Sequence, residues 1–210
     1  RKQYEPTLLL PIGFGTILVN IPFSAVLTQG EVLGPLNVFF GAGIITEVFP
    51  LLIFVAIGAM IDFSPLFQRP ILLLFGAAAQ FGIFMTMVLA TLMGFDIKQA
   101  ASIGIIGAAD GPTSIIVATQ MARDLLGPIS VAAYSYMALV PIIQPPVIKA
   151  LTSEKERKIR MKFDANKRAS RTALIIFPIA VTVLAGLIAP SSLALIGFLM
   201  FGNLIRECGV

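Results

Sequence analysis

The sequence contains no histidine, a single cysteine and few charges, Asp, Glu, Lys and Arg together making up 12% of its 210 residues. Each shortage excludes something. The lone Cys208 rules out a disulfide framework, and without histidine beside it a zinc or haem site of the usual kind is excluded too. The shortage of charge excludes most. Soluble domains carry about 25% charged residues; here half that share accompanies 57% hydrophobic residues. Too little polar surface remains to cover a water-soluble body. A soluble enzyme, a nucleic-acid-binding protein and a disordered segment are excluded together. What is left is an all-α, polytopic integral membrane bundle.

A helix needs roughly 20 apolar residues to cross a hydrocarbon core of about 30 Å. Leu8–Leu27 meets this, with no charge between Glu5 and Glu31, and Ile44–Ile61 does so with Glu47 at an interface. Ile71–Phe95 runs 25 residues without a charge. Gln99–Ala122 is apolar except for Asp110, and Leu125–Ile148, Thr172–Ala189 and the shorter Ser191–Ile205 follow. The connections are too small to be domains, so residues 1–210 are read as a single membrane domain and a fragment of a longer chain. Nine of the fifteen Lys and Arg residues lie in 149–171, against three acidic ones. The excess predicts a cytoplasmic loop; the alternative is a docking surface for an acidic partner. Thr7–Ile12 and Ala173–Ile179 are weakly alike, each with a proline and a second proline later (Pro22, Pro190). Such likeness hints at the inverted repeats of a transporter-like fold.

Asp110 sits near the middle of its span. An ionised carboxylate at that depth costs at least about 2.5–3.5 kcal/mol, and residues of this kind face cavities and mark ion or proton paths. Two residues on, Pro112 lacks an N–H and disfavours helical backbone at Gly111. The helix is therefore predicted to break at 110–112. A break frees the carbonyls of the first half-helix, whose negative end points at it, and exposed backbone at membrane depth survives only where it lines protein or water. Oxygen atoms beside a carboxylate suit a hard cation such as Na⁺. The candidate ligands are Asp110, Gly107 and Ala108, with the hydroxyls of Thr113 and Ser114, which could instead cap the second half-helix. The plain alternative is a kinked helix with an aspartate cap. Two half-length pieces fit a re-entrant hairpin as well as a full crossing.

The next span carries Tyr134, Tyr136, Gln144 and three prolines. Tyr134 and Tyr136 lie about 200° apart around a helix and cannot share a face. Tyr136 is read either as a phenol near the ion site or as an interfacial aromatic. Gln144, Asn20 and Asn203 are further polar candidates, and with Gln80 the asparagines are expected to make inter-helix hydrogen bonds. Gly13, Gly15, Gly41, Gly43, Gly76 and Gly82 are expected to permit close helix packing.

Gly-Ala-Ala-Asp-Gly-Pro-Thr-Ser (107–114) together with Tyr-Ser-Tyr-Met-Ala-Leu-Val-Pro-Ile-Ile-Gln-Pro-Pro (134–146) closely resembles the beta subunit of biotin-dependent, sodium-pumping decarboxylases. Residues 8–15, 54–63 and 76–82 resemble it as well. The resemblance implies a membrane subunit that decarboxylates carboxybiotin and couples this to Na⁺ export with proton uptake. Its cargo is Na⁺, and its biotin is carried on a partner subunit. The implied partners are biotin carrier and carboxyltransferase subunits and a small membrane-anchoring subunit, in a bacterial or archaeal cytoplasmic membrane; a homo-oligomer is compatible with it. The family's intramembrane aspartate falls on Asp110, and its proton-handling tyrosine on Tyr136. Family members are roughly twice as long, and further functional polar residues of theirs have no counterpart before Val210. Read from residues alone, a Na⁺/H⁺ or Na⁺/solute transporter without chemistry, or a membrane anchor for soluble subunits, stays open. With no histidine available, the proton donors near the site are Asp110 and the tyrosines. An apolar site favours a protonated carboxyl and a bound cation favours the carboxylate, so Na⁺ and H⁺ are expected to compete there.

Overall fold

A computed structural model of the chain describes residues 6–160 and 169–209; positions 161–168 of the basic loop fall outside them. The described residues are helical, with no strand beyond an isolated bridge between Gln29 and Val32. Four helices, Pro70–Leu92, Arg123–Leu151, Arg171–Ile188 and Pro190–Cys208, are long and apolar enough to cross a membrane. The pair Pro35–Ile45 and Val48–Met60, interrupted at Thr46 and Glu47, passes the same test when taken together. Large apolar side chains such as Leu73, Leu74, Phe75, Phe84 and Leu92 stand exposed, as a lipid-facing helix requires. This is a multi-pass membrane protein.

Three boundaries differ from the sequence expectation. Helix α1 (Pro6–Asn20) stops two residues before Pro22 and gives 15 residues of helix, because Pro22 disfavours helical backbone at Ile21. Helix α2 (Pro35–Phe39) was not foreseen, although Pro35 at its first position is a start signal. It runs into a π-helical stretch, Phe40–Ile45, and α3 (Val48–Met60) begins after Glu47, whose φ of 64° lies in the left-handed region. The last helix extends to Cys208 and carries Arg206 and Glu207 within it.

The chain divides into two compact units. One holds Thr46–Phe81 and the residues from 169 onward: α3, the short α4 (Ser64–Gln68), the first half of α5 (Leu73–Leu92), α10 (Arg171–Ile188) and α11 (Leu193–Cys208). Helices α3 and α11 meet backbone to backbone. A β-carbon on Gly58 would overlap the Leu199 carbonyl, and one on Gly202 would overlap that of Val55. By contrast five of the six glycines expected to do this, Gly13, Gly15, Gly41, Gly76 and Gly82, have nothing within 4 Å of such a β-carbon, while Gly43 is buried. Beside the contact, Phe177 of α10 packs against Phe63 and Phe67, ring centroids 5.0 and 5.2 Å away.

The other unit holds α1, α2, the second half of α5, and α6 (Ile97–Gly104), α7 (Gly111–Met121), α8 (Leu126–Leu151) and the one-turn α9 (Glu154–Arg157). Asp96 opens α6 with a capping box: its carboxylate accepts the N–H groups of Lys98 (2.8 Å) and Gln99 (3.0 Å). After α7, Arg123 Nε donates to the Thr119 carbonyl at 3.0 Å and closes that helix end. Gln99 Nε2 then donates to Asp124 Oδ2 at 2.7 Å. The start of α6 and the end of α7 are thereby tied together, so the broken span doubles back as a hairpin. Residues 97–108 extend roughly 18 Å, just over half a bilayer core of about 30 Å. Ile115, Ala118, Leu126 and Ile129 form the core between α7 and α8, with Ile103, Ile106 and Tyr134 against it.

Candidate functional site

The hairpin tip is made by backbone chemistry. From Ile105 to Ala108 the α-helix tightens into a 3-10 turn, Ala109 takes φ 55° and ψ 37°, and Asp110 is extended at φ −131°. A left-handed alanine costs roughly 1–2 kcal/mol, which the sequence reading did not foresee. Gly111 and Pro112 then start α7, Pro112 standing where a missing N–H costs nothing. The predicted break is present, with its sharpest bend one residue earlier, at Ala109.

The tip lies at mid-span. A β-carbon on Gly107 would sit 3.6 Å from Ile83 Cγ1, and one on Gly104 would sit 2.9 Å from the Ile83 carbonyl oxygen. Ile83 is near the middle of the crossing helix Pro70–Leu92. Asp110 is half-buried there while Gly107–Ala109 are exposed, so the tip forms an open edge of its unit.

The side chains serve the aspartate. Asp110 accepts no backbone N–H from α7 through its side chain, so it is not the simple cap of the plain reading. Instead Thr113 Oγ1 donates to Asp110 Oδ2 at 2.5 Å. Ser114 Oγ donates to the Asp110 carbonyl at 2.9 Å, which also accepts the Ser114 N–H at 3.1 Å. Both hydroxyls give their protons to Asp110 and keep lone pairs free. At the end of the first half-helix the Ile106 carbonyl accepts the Ala109 N–H, and among the described residues no backbone N–H reaches the carbonyls of Gly107 or Ala108. One carboxylate, two hydroxyls and two carbonyls without a backbone donor among the described residues thus lie within eight residues of sequence. The set is rich in hard oxygen donors and lacks a basic group, which suits an alkali cation.

The two tyrosines part company. Tyr134 lies against Gly111: a β-carbon there would come within 2.6 Å of its Cζ. Tyr136, 40% exposed, lines a groove along α8 with Val140, Gln144 and Ile148. This helix continues through Pro141, Pro145 and Pro146, which cannot donate to the carbonyls of Met137, Pro141 and Ile142 one turn back. Carbonyls freed in this way require protein or water rather than lipid around them.

The family model described as Na⁺-transporting oxaloacetate decarboxylase beta subunit matches residues 1–210. The chain belongs to this family. It is 50% identical over 230 residues to the methylmalonyl-CoA decarboxylase subunit beta of Propionigenium modestum, covering 100% of this chain and 58% of that protein. It is 51% identical over 208 residues to the glutaconyl-CoA decarboxylase subunit beta of Acidaminococcus fermentans, covering 99% and 54%. To oxaloacetate decarboxylase beta chain 2 of Salmonella typhi it is 42% identical over 267 residues, covering 100% and 61%. The chain therefore spans little more than half the length of these relatives.

The remaining polar candidates of this family member are placed differently. Asn20 Nδ2 donates to the Thr16 carbonyl of its own helix at 2.8 Å, not to a neighbouring helix. Asn203, fully buried, does bridge helices: its Nδ2 donates to the carbonyls of Ile61 (2.8 Å) and Gly58 (3.3 Å) at the end of α3. Arg206, one turn along α11, also donates to the Ile61 carbonyl. In the basic segment, Ser153 and Glu156 form a capping box. The Ser153 backbone N–H, then its hydroxyl, hold the Glu156 carboxyl below its usual range. Arg157 closes α8 by donating to the Lys149 and Thr152 carbonyls. Among the described residues no group of three or more Asp, Glu or Cys side chains is placed to hold a metal ion.

Proposed function

We propose that this chain forms the sodium-binding part of the beta subunit of a Na⁺-translocating decarboxylase, in which carboxybiotin is decarboxylated and Na⁺ is exported as a proton is taken up. The observation that carries the reading is Asp110 at the tip of a hairpin level with the middle of a crossing helix. Na⁺ is the cargo, and Asp110, with the carbonyls of Gly107 and Ala108 and the oxygens of Thr113 and Ser114, is its ligand set. Carboxybiotin is the substrate, delivered on a carrier subunit that is charged by a carboxyltransferase subunit, with a small anchoring subunit completing the assembly. The setting is a bacterial or archaeal cytoplasmic membrane, the basic segment 149–171 facing the cytoplasm.

Decarboxylation breaks the bond between the carboxyl carbon and the ureido nitrogen of biotin; CO₂ leaves and the nitrogen takes a proton. Asp110 links this demand to sodium, because a carboxylate neutralised by Na⁺ and a carboxyl neutralised by H⁺ are alternative occupants of one site. Release of Na⁺ leaves a charge at membrane depth that a proton removes. Tyr136, on the face of α8 that carries Gln144, relays the proton, since a phenol both donates and accepts.

Replacement of Asp110 by Asn in the full-length subunit within its complex tests the reading. Assembly should persist, and Na⁺-stimulated decarboxylation should be lost. An assembled variant with normal sodium stimulation refutes it.

A further inference from the structure

The sequence pointed to Tyr136 as the proton relay, yet it is Tyr134 that touches the hairpin tip. If a β-carbon were added to Gly111, it would stand 2.6, 2.8 and 3.0 Å from Cζ, Cε1 and Cε2 of that ring. The hydroxyl-bearing end of the ring therefore fills the space where any other side chain at 111 would begin. Gly111 opens α7 with no left-handed φ, so no backbone conformation calls for glycine there; the demand is for room. The ring is itself held from behind, packed on the core that Ile115, Ala118, Leu126 and Ile129 build between α7 and α8.

We infer that Tyr134 is a positioning residue of the Na⁺ site, a role that rests on the assignment of Asp110 as the sodium ligand. Its ring presses on Gly111 and sets where the first turn of α7 stands relative to α8. That turn carries every side chain of the proposed ligand set: Asp110 precedes Gly111, and Thr113 and Ser114 follow within three residues. Thr113 can hold the Asp110 carboxylate only while the turn keeps this geometry. The Gly111–Tyr134 contact is a lock between the crossing helix and the ion-binding tip, and it acts through Asp110 without itself touching the ion.

A double-mutant cycle in the full-length subunit within its complex separates this role from ordinary packing. Gly111→Ala places a methyl into the ring, and Tyr134→Leu removes the ring. Each should raise the apparent KM for Na⁺ about tenfold, with a smaller change in kcat, as misplacement of a binding group does. Tyr134→Phe, which keeps the ring, should restore sodium dependence close to that of the unmodified protein. In the double variant the methyl occupies part of the vacated space, so its KM should lie below the product of the two single effects. Assembly is followed by co-purification of the carrier subunit; should Tyr134→Leu fail to assemble, Gly111→Ala and Tyr134→Phe decide between them. An unchanged KM for Na⁺ in assembled Gly111→Ala, or a Tyr134→Phe variant as impaired as Tyr134→Leu, overturns the inference. Normal sodium stimulation in Asp110→Asn would overturn the site assignment itself. Loss in Asp110→Asn together with an indifferent Gly111→Ala removes only the role of Tyr134.

Discussion

Thr113 offers the cleanest measure of how much the hairpin tip is worth to the ion. Its hydroxyl donates to Asp110 Oδ2 at 2.5 Å, and its oxygen retains lone pairs that can face a cation. Thr113→Val keeps the shape of the side chain and removes only the hydroxyl. A hydrogen bond to a charged group is worth about 1.5–3 kcal/mol. At about 1.4 kcal/mol per factor of ten, the variant should bind Na⁺ roughly tenfold to a hundredfold more weakly. The upper end applies where the carboxylate must also be re-oriented at each binding event. Helix α7 should survive, because Ser114 still bonds to the Asp110 carbonyl and Pro112 still starts the helix. The assay is the Na⁺ dependence of decarboxylation by the reconstituted complex, compared with Thr113→Ser, which retains the hydroxyl and should stay within a few-fold of the original. Thr113→Val with an unaltered Na⁺ dependence, or Thr113→Ser as defective as Thr113→Val, would refute the reasoning.

Three further outcomes are expected. If Na⁺ and H⁺ share Asp110, the apparent Na⁺ affinity should weaken as pH falls, by at most about tenfold per pH unit for a single proton, and Tyr136→Phe should slow turnover more than it weakens Na⁺ binding; a Na⁺ affinity flat across the neutral range contradicts the competition. Asn203→Ala strips two donors from the end of α3 and should cost about 1–3 kcal/mol, read as a lowered thermal midpoint of the purified subunit in detergent; an unchanged midpoint would show that Arg206 alone secures α3. With Cys208 replaced by Ser, a cysteine at Lys155 should resist an impermeant thiol reagent applied to intact cells, and ready labelling would invert the topology.

The class of the protein and the helix break beside Asp110 were legible in the sequence because both depend on local chemistry. Scarce charge over long apolar runs requires a membrane, and a glycine followed by a proline beside an intramembrane aspartate disfavours continued helix through the backbone of those residues alone. The same logic located α5, α8, α10 and α11 within a few residues. It failed at α2 and at the Glu47 break, where a glycine-rich apolar run is equally compatible with α-helix, π-helix or an interruption.

Partner choice was decided by the tertiary structure. Whether Gln99–Ala122 crosses or returns turns on the Gln99–Asp124 hydrogen bond, which joins residues 25 positions apart. Helical geometry put the two tyrosines of α8 on different faces, but only the rotation of α8 against the hairpin determined that Tyr134 meets Gly111 and Tyr136 meets the groove. Glycines in apolar helices look alike in a sequence. Gly58, Gly202 and Gly111 became contact points, and Gly13 and Gly76 did not, because a missing side chain matters only where another backbone or ring arrives to use the space. Backbone angles and missing N–H groups act within a turn or two and can be read residue by residue; the facing of two surfaces is a property of the folded whole.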